Sequence, residues 1–255
     1  MSQFEKALFR QLLKLKNEFG VVGVKAEFEA EGASLMDLVR LRRLTARADV
    51  KLMLKIGGVE AMRDIKDALE IGVDGLIAPM VESPFGVAKF YEGCKKIYKG
   101  GVVHKAINIE TKNAVRSIDQ ILDYAAGKIN SITIGRTDLS ASYFDVNIIP
   151  DCDAILDIVG RLSHAAKAHA LKATVGGSIS RRTIEAFNRQ PQLAGNLDCI
   201  ETRKVILPAE VALHNPLALK EALLFEKLHI LYKKELTDLF IEEDIQRLTQ
   251  LEGRI

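Results

Sequence analysis

Seven short runs along the chain either alternate apolar with polar residues or string apolar residues together: VVGVKAEF, VKLMLKIGG, GLIAPMV, KAINIET, SITIGR, LKATVGG and DCIETRKVIL. Between them lie stretches with apolar residues at helical spacing, among them Ser34 to Ala48, Val59 to Ile71, Asp151 to Ala170 and Ser180 to Arg189. Strands separated by helices in this way predict parallel pairing through crossover helices. The count is one short of a closed eight-stranded barrel, so either a further short strand or an open sheet is expected. The N-terminal MSQFEKALFRQLLKLKNEFG reads as an amphipathic helix whose charges interrupt any signal-peptide core. Two helical segments, Pro216 to Lys233 and Glu235 to Glu252, close the chain, the first with an apolar stripe of Leu217, Leu224, Leu228 and Leu231. One helix suffices to cap a barrel; two predict a surface that packs on another subunit.

Side chains along a strand point to opposite faces in turn, so the alternation also sorts residues. Ile107 and Ile109 share one face and Asn108 and Glu110 the other. Val24, Ala26, Phe28 and Ala30 oppose Lys25, Glu27, Glu29 and Glu31; Leu52, Leu54 and Ile56 oppose Lys51, Met53 and Lys55; Ile200 and Thr202 oppose Cys199, Glu201 and Arg203. The apolar face must meet the helices, which turns the charged face into the barrel. Isolated charges there would each cost several kcal/mol, on the order of ~2–7 even for a neutral polar group, so they must pair or hold a ligand.

Composition narrows the function classes. With 255 residues and 48% hydrophobic content, the chain fits one sizeable α/β domain spanning 1–255. Lys and Arg number 36 against 34 Asp and Glu, a net charge of +2 that advertises neither a nucleic-acid nor a membrane-surface partner. Cys94, Cys152 and Cys199 lack CxxC spacing and are odd in number, which fits a reducing cytoplasm. No run approaches the apolar length of a membrane span.

Candidate chemistry concentrates where strands run out. INIETKNA places Glu110, and ITIGRTDLSAS places Asp138, at the ends of successive strands. Two hard oxygen ligands leave most of an octahedral Mg²⁺ or Mn²⁺ shell to water and substrate, an open site able to polarise a carbonyl. The competing reading has Glu110 paired with Arg136 and Asp138 capping the next segment. Arg136 directly follows a strand and stands to hold Glu110 or a substrate carboxylate. Gly176 and Gly177 end a strand before a helix opening near Ser178 or Ser180, where backbone amides could meet an anion, or where the chain simply turns. Arg203, with Glu201 and Lys204 beside it, ends the last run and could bind an acidic aldehyde. His104 precedes a strand at the opposite mouth, and His164, His169, His214 and His229 fall in helical stretches, where a structural role is expected.

At these residues the chain resembles the HpcH/HpaI aldolase/citrate lyase family of the phosphoenolpyruvate/pyruvate superfamily. The similarity runs from about Lys51 to Ser142, through LKIGG, IGVDGLIAPMVES, INIETKNAV and ITIGRTDLSAS in the family's order. It implies an α/β fold, a (β/α)8 TIM barrel with additional C-terminal helices at 216–252 used in oligomerisation. It also implies Mg²⁺ or Mn²⁺ on Glu110 and Asp138, a pyruvate-like 2-oxo acid as substrate with an aldehyde as its partner, and assembly into homotrimers or hexamers. Pro79, Met80 and Glu82 line the site in this resemblance.

Two departures bear on mechanism. Where the family's aldolases carry an arginine, this chain has Lys55, a point charge in place of a fork, still able to neutralise an enolate. Where they carry an acid/base histidine, AEFEAEGAS has none, leaving Glu27, Glu29 or Glu31 to substitute. A carbon–carbon lyase of class II aldolase type is therefore expected, with Lys55, Arg136 and Glu27 catalytic. Met80, Glu82, Gly176, Gly177, Glu201 and Arg203 would contact substrate. An acyl-CoA lyase of citrate-lyase type, a Schiff-base aldolase using Lys55, Lys25 or Lys172, and a barrel that binds without turnover remain open beside it.

Overall fold

Each of the seven runs forms a strand in the computed structural model, which describes residues 2–252. Helix α1 (Gln3–Phe19) leads into β1 (Gly23–Glu27), followed by α2 (Leu35–Ala48), β2 (Lys51–Lys55), α3 (Met62–Ile71), β3 (Gly75–Ala78), α4 (Pro84–Tyr98) and β4 (His104–Ile109). Short helices α5 (Lys112–Arg116) and α6 (Ile118–Ala125) precede β5 (Ser131–Gly135), and α7 (Arg136–Ala141) and α8 (Asp153–Ala168) precede β6 (Lys172–Gly176). Helices α9 (Arg181–Asn188) and α10 (Pro191–Ala194) lead to β7 (Cys199–Glu201). Ser34, Ser83 and Ser180 start α2, α4 and α9 by accepting a backbone N–H three residues on, which satisfies donors the first turn leaves open.

The eighth strand lies inside the run that reads as one. DCIETRKVIL splits into β7 and β8 (Val205–Pro208), which pair antiparallel with Glu201 opposite Ile206, and β8 pairs antiparallel with β1 to close the barrel. Only Thr202, Arg203 and Lys204 separate the two strands. A parallel return needs a crossover of about a dozen residues or more, so so short a link can only make a hairpin. The barrel is thus eight-stranded and closed, with its last strand reversed and the turn at the mouth where the other strands end.

Reversing β8 delivers the chain to the opposite mouth, from which α11 (Ala209–His214) and α12 (Pro216–Glu252) set out. The two expected C-terminal helices are one: the charged stretch at Lys233, Lys234 and Glu235 contains no residue that breaks a helix. Its buried face is Ala218, Ala222, Phe225, His229 and Tyr232, in helical register against α1 and β8. Leu217 and Leu224 of the expected leucine stripe point to solvent. Farther along, Leu239, Phe240, Ile241, Ile245 and Leu248 are exposed. No helix among the described residues is long and apolar enough to cross a membrane.

His229 makes α12 sensitive to acid. Burial, with Lys204 and Lys233 nearby, pushes its pKa from 6.5 down to about 3. The unfolded chain takes up this proton first, so the contribution is intact above 6.5 and declines as pH falls toward about 3. Chemical denaturation of the wild type should lose up to about 1.4 kcal/mol per pH unit more than His229→Gln across that window. Parallel slopes for the two proteins would remove His229 as the cause.

The interior divides as the alternation requires. Val24, Leu52, Leu54, Leu76, Ile107, Ile109, Ile132, Ile134 and Val175 face the helices in the main core. Inside the barrel a small apolar waist of Met53, Ile77, Ala106 and Ile206 separates the two mouths.

Candidate active site at the C-terminal mouth

Above that waist, a cavity of about 360 Å³ opens where β1 to β7 end. Its wall carries three cationic side chains, Lys25, Lys55 and Arg203, and five carboxylates, Glu27, Glu110, Asp138, Glu201 and Glu226. Lys25 bridges Glu201 at 2.7 Å and Glu27 at 3.2 Å. Lys55 sits 2.8 Å from Glu29 and 3.9 Å from Glu110. Lys204, in the β7–β8 turn, pairs with Glu31. Strand β1 stops at Glu27, so Glu29 and Glu31 reach these lysines from a loop.

Glu110 is the most enclosed of the acids, 2% exposed. Its Oε1 accepts the Met80 N–H at 2.9 Å, and its Oε2 accepts from Asn108 Nδ2 at 3.0 Å. Burial raises its pKa; Lys55 and the two hydrogen bonds pull it down, and neighbouring Asp138 pushes it further up. Room for this carboxylate comes from Gly135, where a Cβ would lie 2.6 Å from Glu110 Oε2. Met80 holds φ at 50°, a strained conformation for a side chain of its size, and in doing so aims its N–H at Glu110. Asp138, in the first turn of α7, has no side-chain partner among the described residues.

Lys25 and Lys55 stay charged. Burial works against Lys55, but Glu110, Glu29 and Glu27 outweigh it and raise its pKa. Lys25 is raised likewise, burial being overcome by Glu201 and Glu27. Glu27 answers in the opposite sense: burial would raise it, and Lys25 with Lys55 carries it below its usual value.

Not every expected site residue reaches the cavity. Arg136 is wholly buried and turned away from Glu110. Its Nε donates to Gly176 O at 3.2 Å, its Nη2 to Gly177 O at 2.6 Å, and its Nη1 to Pro150 O at 3.0 Å and Asp151 at 2.5 Å. It therefore clamps the loop after β6 and is not placed for catalysis. Gly176 packs against Glu201, and Gly177, at φ +83°, lies over the Arg136 and Thr137 amides, where a Cβ would come within 2.5 Å of Thr137 N. Glu82 is exposed outside the cavity and accepts from Thr111 at 2.6 Å. Lys172 belongs to the opposite mouth. Arg203 lines the cavity from the hairpin turn and is free of hydrogen bonds and ion pairs among the described residues.

Among the lining residues that escape the sequence reading, Asn108 and Glu226 carry the most chemistry. Asn108 shares a strand face with Glu110, so its signal was there; Glu226 of α12 carried none, because only the path of the long helix brings it to this mouth.

The donor set suits a hard divalent cation. The wall carries two more carboxylates than cationic groups, Asn108 Oδ1 is buried without a hydrogen-bond partner, and Asp138 is uncommitted. No cluster of three or more His, Cys, Asp or Glu among the described residues has metal-ligating geometry; an ion held by Glu110 and Asp138 alone would have most of its shell filled by water and substrate.

Comparison with solved structures finds the same architecture elsewhere. An HpcH/HpaI aldolase from Desulfitobacterium hafniense DCB-2 is similar with a TM-score of 0.61 at 16% identity, over 76% of this chain and 82% of that one. An HpcH/HpaI aldolase/citrate lyase family protein from Burkholderia cenocepacia J2315 gives 0.61 at 17% identity, over 78% and 82%. The citrate synthase SbnG gives 0.57 at 18% identity, over 73% and 78%. Among curated proteins, sequence comparison finds no match. Residues 33–194, which include β2 through β6 with Glu110 and Asp138, match the family model of the HpcH/HpaI aldolases and citrate lyases, and the chain belongs to the HpcH/HpaI aldolase/citrate lyase family.

Proposed function

We propose that this barrel is a carbon–carbon lyase of class II aldolase type, acting through the enolate of pyruvate or a related 2-oxo acid, with Mg²⁺ or Mn²⁺ held by Glu110 and Asp138. The observation that carries this reading is the buried Glu110 carboxylate facing Asp138 and Lys55 in one cavity. A divalent ion on those oxygens would supply Lewis-acid polarisation of the substrate carbonyl.

The chain's own residues supply the rest. Lys55 places a fixed positive charge where an enolate oxygen develops negative charge, and its raised pKa speaks against a Schiff base, which requires a free amine. Lys25 and Glu27 are committed to each other and keep the floor of the cavity rigid and ionised. With Asp138 assigned to the metal, Glu226 is the other lining carboxylate without a side-chain partner among the described residues, and it takes the proton-transfer role that the family assigns to histidine. Arg203 offers a free cation to a distal acidic group of the substrate. Exposed Leu239, Phe240, Ile241 and Ile245 support self-association, as a trimer or hexamer, through α12. The unpaired thiols of Cys94, Cys152 and Cys199 accord with a cytoplasmic setting.

Cleavage of a 4-hydroxy-2-oxo acid, followed by pyruvate release, tests the reaction. Lys55→Met should lower kcat by about 10²–10³-fold with the fold intact, and borohydride in the presence of pyruvate should leave no adduct. An unchanged kcat would remove Lys55 from the mechanism, and a trapped adduct would establish the Schiff-base route instead.

A further inference from the structure

A second chamber opens at the other end of the same barrel. Several inward positions of β4 to β6 at this end are small: Ala106, Ser131, Thr133 and Thr174. A β/α barrel ordinarily fills its axis with layers of bulky branched side chains. Here they leave a cavity of about 270 Å³ at the N-terminal mouth, just below the range of about 300–1,000 Å³ that holds drug-sized ligands.

Its chemistry is amphipathic. The inner end is the apolar waist of Met53, Ile77, Ala106 and Ile206. At the rim stand Lys51 and Lys172, the first residues of β2 and β6, neither with a side-chain hydrogen bond or ion pair among the described residues. Between them His104 Nε2 lies 2.9 Å from Ser131 Oγ. The acids at this lining are spent elsewhere: Asp198 accepts the Ala173 N–H at 2.9 Å, and Glu201 accepts from Lys25 at 2.7 Å. The charged side chains of the lining left without a hydrogen bond or ion pair among the described residues are therefore the two lysines, Lys51 and Lys172. Burial, then Lys51, Lys172 and Lys105, drives His104 down to about 4, so these cations converge on the imidazole. Burial likewise pushes the Cys199 thiol up to about 11, which suits a binding chamber better than a reactive one.

We propose that this lower chamber is a binding site for a small organic monoanion, a carboxylate whose charge lies between Lys51, Lys172 and His104 and whose compact apolar body rests on Met53, Ile77, Ala106 and Ile206. Neither lysine partners another side chain, so the site needs no rearrangement to receive the anion. Thr133 and Glu201 line both cavities, so the ligand would sit one layer of side chains below the site at the other mouth. Its occupancy does not depend on which reaction that mouth performs.

Benzoate is the probe and benzyl alcohol its uncharged counterpart, with the imidazole signals of His104 followed by NMR in the full-length protein. Benzoate should shift those signals saturably with a Kd on the order of ~1 mM, and should raise the His104 pKa above its free value of about 4. The double variant Lys51→Gln/Lys172→Gln changes two exposed strand-end residues and should keep the fold while weakening benzoate at least about tenfold. Benzyl alcohol should bind at least about tenfold more weakly than benzoate. Absence of a saturable His104 shift, equal affinity for the two probes, or undiminished benzoate affinity in the folded double variant would each overturn the assignment.

Discussion

Glu110→Gln is expected to lower turnover by about 10³-fold or more and to leave the protein as stable as the wild type, or slightly more so. The two effects have one cause. Burial and Asp138 hold the Glu110 pKa above its ordinary value, which means that the folded state disfavours this charge. A neutral amide removes that cost. It also keeps an oxygen for the Met80 N–H, and Asn108, whose Oδ1 has no hydrogen-bond partner, can turn its amide to accept from the new NH₂ group. What the variant loses is the anionic ligand. Turnover and the denaturation midpoint, measured on the same preparation, check both halves. Wild-type turnover in the variant would detach Glu110 from the chemistry, and a large loss of stability would mean its charge is structural.

Arg136→Ala should produce the opposite profile, with stability falling by about 3–5 kcal/mol. Truncation leaves Asp151 without its 2.5 Å ion-pair partner and strips the carbonyls of Gly176, Gly177 and Pro150 of a donor that is itself wholly buried. Arg136→Lys should recover only part of the loss, because one ammonium cannot follow the fork that spans two backbone segments, 150–151 and 176–177. Urea denaturation measures the cost, and amide hydrogen exchange around Gly177 should speed up first. A stability loss under about 1 kcal/mol would show that water or neighbouring groups satisfy these acceptors equally well.

Those two residues mark the limit of what the chain reveals on inspection. Strand parity alone put Lys25, Glu27, Lys55, Glu110 and Glu201 on the inner face, and the barrel gathers all five at one cavity. The same parity cannot tell which end of the barrel a residue occupies when it starts a strand, which is how Lys172 was grouped with Lys25 and Lys55. Arg136 follows the strand as a catalytic arginine would, yet the helix beginning at that residue rotates it out of the site. The hairpin of β7 and β8 was invisible because Thr202, Arg203 and Lys204 carry no glycine, proline or asparagine to punctuate the alternation. The direction of α12 depended on that hidden reversal. Its buried stripe of Ala218, Ala222 and Phe225, and the presence of Glu226 in the cavity, are tertiary outcomes that leucine spacing cannot foretell.

Exchange of pyruvate methyl protons into deuterated water, followed by NMR, tests the enolising metal site most directly. Protein stripped with EDTA should not exchange, added Mn²⁺ or Mg²⁺ should restore exchange, and Glu110→Gln or Asp138→Asn should stay inactive with either metal. Exchange that persists under chelation, or that either variant supports at the wild-type rate, would contradict the account.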